Sequence, residues 1–155
     1  MTDDKDNSLI LETNKGTVVV TMRPDLAPNH VARIKDLVRE KFYDGVVFHR
    51  VIDGFMAQTG DPTGTGTGGS GKKLKAEFSR EKHVRGTVSM ARSQSPDSGD
   101  SQFFICFGEA PWLNGQYTVW GQVTQGMDNI DRVKRGEPVV DPDHIVSARL
   151  AADAA

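Results

Sequence analysis

"FHRVIDGFMAQTGD", residues 48–61, is the stretch on which the reading of this chain turns. Residues 46–52 (VVFHRVI) are β-branched and aromatic, and residues 55–58 (FMAQ) resume the apolar run after Asp53-Gly54. Asp-Gly between two such runs is a strong hairpin signal, since glycine tolerates the positive φ that a tight turn demands. A hairpin here places Arg50, Phe55, Met56 and Gln58 in a single patch: one cation, two large apolar groups and one amide. Alone, such a patch is ordinary surface packing.

Outward from this hairpin, short apolar runs alternate with turn residues. Residues 9–13 and 17–22 flank Asn14-Lys15-Gly16 as a second hairpin. Pro28-Asn29 opens a helix whose Val31, Ile34, Leu37, Val38 and Phe42 fall on one stripe, ending near Tyr43-Asp44-Gly45. Further strands are expected over residues 86–91, 102–107, 117–123 and 144–150. A second short helix is expected over 127–134, with Ile130 and Val133 inward. Many short strands and only two helices predict a mainly β fold, a closed or nearly closed antiparallel barrel. Residues 8–150 read as one domain, with polar tails over 1–7 and 151–155.

The central "GTGTGGSGKK", residues 64–73, nearly matches the phosphate loop G-x-x-x-x-G-K-[ST]. The final position must carry a hydroxyl to ligate magnesium, and it is Lys73. No helical stripe follows to aim an N-terminus at phosphates. A long surface loop is expected instead, its glycines permitting positive φ.

Other chemistries fare no better. His30, His49, His83 and His144 are scattered and there are no cysteine pairs, so no metal site is expected. His49 reads as a hydrogen-bonded structural residue, and Cys106, the one cysteine, as a small core residue. Gly99-Asp100-Ser101 matches a hydrolase nucleophile block but stands late in a β-rich chain, where that block does not belong. A net charge of −2 gives no electrostatic reason to expect nucleic acid or an anionic membrane. The first residues lack the basic-then-apolar order of a secretion signal, so the cytoplasm is the expected location.

Three further blocks, "GTVSMARS" (86–93), "SQFFICF" (101–107) and "PWLNGQYTVWG" (111–121), follow the hairpin in order. Together the four resemble the cyclophilin family of peptidyl-prolyl cis–trans isomerases, over nearly the whole chain. The resemblance implies an eight-stranded antiparallel β-barrel capped by two α-helices, acting without a cofactor, as a monomer, on proline-containing peptides and unfolded proteins. It implies that Arg50, Gln58 and Phe55 are catalytic, with Arg50 donating to the proline nitrogen in the twisted amide. Met56, Phe104 and Leu113 would join Phe55 around the proline ring. Ala91 and Arg92 would offer main-chain groups to the peptide, Gln102 would support the groove, and Trp112 would cover one side.

Two positions depart from well-studied eukaryotic members. Tyr117 stands where they have His, which argues against essential imidazole chemistry, and Arg92 stands where they usually have Asn. Trp112 matches the residue the family uses to bind cyclosporin, so such binding is implied, its strength altered by those two departures. A cyclophilin-fold binding module would share the groove and differ at Arg50.

Overall fold

The computed structural model describes residues 5–153. Strands β1 (Ser8–Thr13), β2 (Gly16–Met22), β3 (Arg50–Ile52), β4 (Met56–Thr59), β5 (Thr87–Met90), β6 (Phe103–Cys106), β7 (Val119–Gln125) and β8 (Ile145–Leu150) form one antiparallel sheet. Its order is β3-β4-β6-β5-β7-β2-β1-β8. The two outer edges meet. Phe48 N–H donates to the Asp143 carbonyl (2.8 Å), Ile145 N–H to Val46 (2.8 Å) and Gly45 N–H to Ile145 (2.7 Å). The sheet thereby curls into a barrel, which leaves no long unpaired edge to aggregate.

Side chains alternate between the faces of a strand, and that alternation divides the protein in two. Phe103 and Ile105 of β6, Ala57 of β4 and Val51 of β3 point inward, joining Leu11, Val20, Phe48 and Trp120 in the barrel core. Met56, Phe104 and Cys106 point the other way and form a separate apolar cluster with Ala110 and Leu113. That outer cluster is where the site lies.

Helix α1 (Pro28–Arg39) buries the expected stripe of Val31, Ile34, Leu37 and Val38 and lies against β8. Its capping residue, Ala27, has no side chain to satisfy the first amides. The Glu77 carboxylate takes that role from the far end of a loop, accepting from Asn29 N–H (3.2 Å) and His30 N–H (2.8 Å). Helix α2 (Met127–Ile130) is shorter than the expected 127–134. After Asp131 the chain tightens to i→i−3 bonds (Arg132 to Asn129, Val133 to Ile130), and the Lys134 N–H turns to the Asp143 carboxylate (2.8 Å). Lys5–Asn7 and Ala151–Asp153 form single 3₁₀ turns that lie against each other.

The glycine loop resolves as a shell around its own anion. Asp61 is buried, and its carboxylate accepts from the backbone N–H of Thr63 (2.8 Å), Thr65 (3.2 Å), Gly66 (2.6 Å) and Gly68 (3.1 Å). A Cβ at Gly68 would collide with Asp61 Oδ1, so this glycine answers to space rather than to turn geometry. Asp100 holds the next stretch through Ser70 N–H and Gly71 N–H, both at 3.0 Å. The amides that a phosphate would need are engaged by carboxylates of the chain itself.

Burial alone would raise the Asp61 pKa, but the hydrogen bonds from Thr63, Gly68 and Gly66 outweigh it and bring it down to about 2. A depressed folded pKa stabilises the native state above the unfolded value and loses that contribution as pH falls through the folded one. Asp61→Asn should therefore cost about 2 kcal/mol near neutral pH, the gap to wild type closing between about pH 4 and pH 2. Urea unfolding of both proteins across that range measures it.

Candidate active site

The register of four neighbouring strands sets out the polar half of the site. Arg50 of β3 stands opposite Gln58 of β4, Gln58 opposite Phe104 of β6, and Phe104 opposite Ser89 of β5. Along this row a relay of side chains fixes Arg50. Its Nε donates to Glu137 Oε1 (3.1 Å) and its Nη1 to Gln58 Oε1 (3.2 Å). Gln58 Nε2 donates to Gln102 Oε1 (2.9 Å), and Gln102 Nε2 to the carbonyls of Gly66 (3.0 Å) and Gly68 (2.9 Å). The glycine loop is thus tied to the guanidinium through two amides.

The apolar half is a cleft of about 340 Å³. Arg50, Phe55, Met56, Gln58, Ala91, Arg92, Phe104, Trp112, Leu113 and Tyr117 line it. Met56, Phe104 and Leu113 are buried and make its floor. Trp112 is 63% exposed, a large apolar ring left in water at the rim, 5.6 Å from the Phe55 ring. Tyr117 meets Phe104 edge-on at 5.7 Å. Behind the floor, His83 stacks on Phe104 at 6.1 Å and is held by Ser89 Oγ (2.9 Å) and Asn114 Oδ1 (3.1 Å). Burial holds the His83 pKa below its ordinary value. A neutral ring against the aromatic floor keeps that floor apolar.

Every residue expected from the sequence is at this place: ten line the cleft, and Gln102 lines an adjoining recess. Two differ in detail. The Ala91 N–H is taken by the Gln102 carbonyl (2.9 Å), so the Ala91 carbonyl and the Arg92 N–H are the groups left for a peptide. The Arg92 side chain is folded onto its neighbours at the cleft wall. It lies over the Tyr117 ring (4.4 Å to the centroid) and donates to the Gln116 carbonyl through Nε (3.1 Å) and Nη2 (2.8 Å). Cys106 is buried beneath the floor, its thiol pushed up to about 12 by burial, in keeping with a core role. His49 is buried below Gly66, and neither ring nitrogen has a partner among the described residues, contrary to the hydrogen-bonded role expected of it. His49 lies just before β3, and its ring faces Gly66, whose amide already serves Asp61.

Glu137 and His83 escaped the reading of the sequence. Glu137 follows Gly136, which pairs with Val51 where the barrel closes, so only the tertiary fold brings it to Arg50.

The sequence model of the family described as "Cyclophilin type peptidyl-prolyl cis-trans isomerase/CLD" matches residues 8–150. The chain belongs to the cyclophilin family. Its activity is peptidyl-prolyl cis–trans isomerisation. A probable peptidyl-prolyl cis–trans isomerase of Brucella suis is 53% identical over 97% of this chain and 85% of its own length. The isomerase of Helicobacter pylori is 44% identical over 82% of this chain and 80% of its own length. Among solved structures, a cyclophilin from Hirschia baltica superposes with a TM-score of 0.92 at 32% identity, covering 100% of this chain and 77% of that one. A Cryptosporidium parvum cyclophilin crystallised in the presence of the dipeptide Ala-Pro superposes at 0.85 with 29% identity, covering 92% of this chain and 98% of that one. No helix among the described residues is long and apolar enough to cross a membrane.

Glu137→Gln removes a charge-assisted anchor from Arg50 Nε while leaving the cleft walls intact. We expect kcat/KM to fall about three- to tenfold with peptide Kd within about twofold, measured by NMR exchange and titration.

Proposed function

We propose that this cyclophilin seats proline in the cleft of Phe55, Met56, Phe104 and Leu113 and stabilises the twisted amide through Arg50. The observation that carries this reading is the guanidinium held by Glu137 and Gln58 at the edge of a cleft floored by Met56, Phe104 and Leu113.

The chemistry sets the demand. An Xaa–Pro bond faces a barrier of ~18–20 kcal/mol from amide resonance and isomerises over tens of seconds. Millisecond turnover needs about four or five powers of ten, or about 6–7 kcal/mol of preferential binding to the twisted state. No covalent bond breaks, so no nucleophile is required. As the C–N bond rotates, the nitrogen loses conjugation, becomes pyramidal and gains a lone pair. Arg50 would donate to that lone pair, which the planar ground state does not present. This is selective stabilisation of the transition state. A guanidinium suits the task because it stays charged and presents its donors in a rigid fork.

The other groups hold the substrate on both sides of the bond. Gln58 Nε2 would donate to the carbonyl preceding proline, its rotamer set by Gln102. The Ala91 carbonyl and Arg92 N–H would pair with the peptide as an edge strand does. Trp112 would close over the ring. Tyr117 contributes an apolar wall, so no step depends on imidazole acid–base chemistry. The clients would be Xaa–Pro segments of unfolded or flexible proteins, met by a monomer in the cytoplasm. Cyclosporin would occupy the same groove under Trp112.

Exchange spectroscopy on a short Ala–Pro peptide tests the assignment. Wild type should exchange the cis and trans signals at substoichiometric amounts. Arg50→Ala should lower turnover about a hundredfold or more with affinity changed only a few-fold, since a transition-state contact alone is lost. Equal losses of binding and turnover would refute the role given to Arg50.

A further inference from the structure

Three residues of the cleft, Trp112, Leu113 and Tyr117, come from the one segment that joins β6 to β7. That segment is pinned on either side of a short exposed stretch. Before it, Asn114 Oδ1 accepts from His83 N–H (2.7 Å). After it, the Thr118 carbonyl accepts from Met90 N–H (2.8 Å) and Thr118 Oγ1 from Glu77 N–H (2.9 Å). Between these points lie Gly115, with a φ of 75°, and Gln116, both exposed, and then Tyr117, half-buried with its ring edge-on to Phe104. A further hold on this stretch comes from Arg92. Its Nε and Nη2 both donate to the Gln116 carbonyl (3.1 and 2.8 Å), and its guanidinium lies 4.4 Å from the centroid of the Tyr117 ring. Its Nη1 donates to the carbonyls of Ser93 (2.9 Å) and Gln94 (3.3 Å). All three nitrogens of this cation are thus used on main-chain carbonyls of the chain itself.

We infer, on the seating of proline proposed above, that Arg92 is a positioning residue of the isomerase site, its side chain fixing Tyr117 as a wall of the proline cleft. A guanidinium over an aromatic face is attracted by the ring quadrupole, which favours one ring plane over rotated ones. Two donors of a rigid fork on a single carbonyl set the Gln116 peptide plane, and with it the direction in which Tyr117 leaves the main chain. Arg92 also carries the N–H offered to the peptide, so the peptide-binding edge and the proline wall are joined through one residue. Their separation is set before substrate arrives. Tyr117 would touch the proline ring in the planar and the twisted amide alike, so a fixed wall strengthens binding of both states equally. Such uniform binding lowers KM and leaves kcat unchanged. Arg50, by contrast, acts on the twisted state. One arginine holds the wall and the other lowers the barrier.

The test measures Kd by NMR titration with a short Ala–Pro peptide, and the on-enzyme interconversion rate by exchange spectroscopy at saturation. Wild type, Arg92→Met, Tyr117→Ala and the double variant are compared. Methionine keeps an apolar stem and removes both the fork and the charge. Arg92→Met should raise Kd about three- to tenfold, with the on-enzyme rate within about twofold of wild type. Tyr117→Ala should raise Kd at least as far. Adding Arg92→Met to it should then change Kd less than about 1.5-fold, because the group that Arg92 positions is gone. A wild-type Kd for Arg92→Met, a loss of rate in its place, or a rise in Kd that persists in full on the Tyr117→Ala background would overturn the inference and leave the isomerase reading intact. Wild-type binding by Tyr117→Ala would overturn the seating of proline on this wall, and the inference with it.

Discussion

The Arg50 guanidinium is held at two of its nitrogens, and the site depends on that constraint. Glu137 takes Nε and Gln58 takes Nη1, leaving Nη2 without a partner among the described residues, on a side chain that lines the cleft. A free arginine side chain would surrender about 2 kcal/mol of rotamer entropy on meeting its target. Here much of that ordering precedes substrate, as selective stabilisation of a short-lived geometry requires. The relay behind Gln58 runs through Gln102 to Gly66 and Gly68, and the loop carrying those glycines is wound on the Asp61 carboxylate. An anion just beyond the end of β4 therefore contributes, through the loop, to the alignment of a cation at the cleft.

Barrel closure makes this possible. Once the sheet curls, its inward side chains fill the interior, and the outward side chains of β3, β4, β6 and β5 become a surface that can be shaped independently. Phe104 shows the division in one residue: its neighbours Phe103 and Ile105 are core, while it is cleft floor, backed by His83. Substitution on the outer face can alter recognition without opening a cavity in the core, and Arg92 lies outside both apolar clusters.

Much of this was legible in the sequence, for local reasons. The Asp53-Gly54 turn fixes the register that sets Arg50 opposite Gln58, so one hairpin announces two residues of the cleft and their adjacency. The helix stripe of Val31, Ile34, Leu37 and Val38 follows from periodicity alone. The illegible parts depend on distant segments. Glu77 caps α1 across 48 residues of chain, and Glu137 meets Arg50 across 87, neither signalled by any local pattern. Ile130 and Val133 share a face and so suggest a longer second helix, while the chain tightens after Asp131 and Lys134 N–H turns to distant Asp143. The glycine loop could be stripped of a nucleotide role from Lys73, but its anchor, Asp61, was visible only once the backbone amides were seen to converge.

The central claim is that a rigid donor fork, rather than positive charge in general, stabilises the twisted amide. Arg50→Lys keeps the charge and removes the fork, and exchange spectroscopy under saturating Ala–Pro peptide reads the interconversion on the enzyme directly. The account predicts that this rate falls at least about tenfold while Kd changes little. A lysine variant that interconverts bound peptide at the wild-type rate would contradict it.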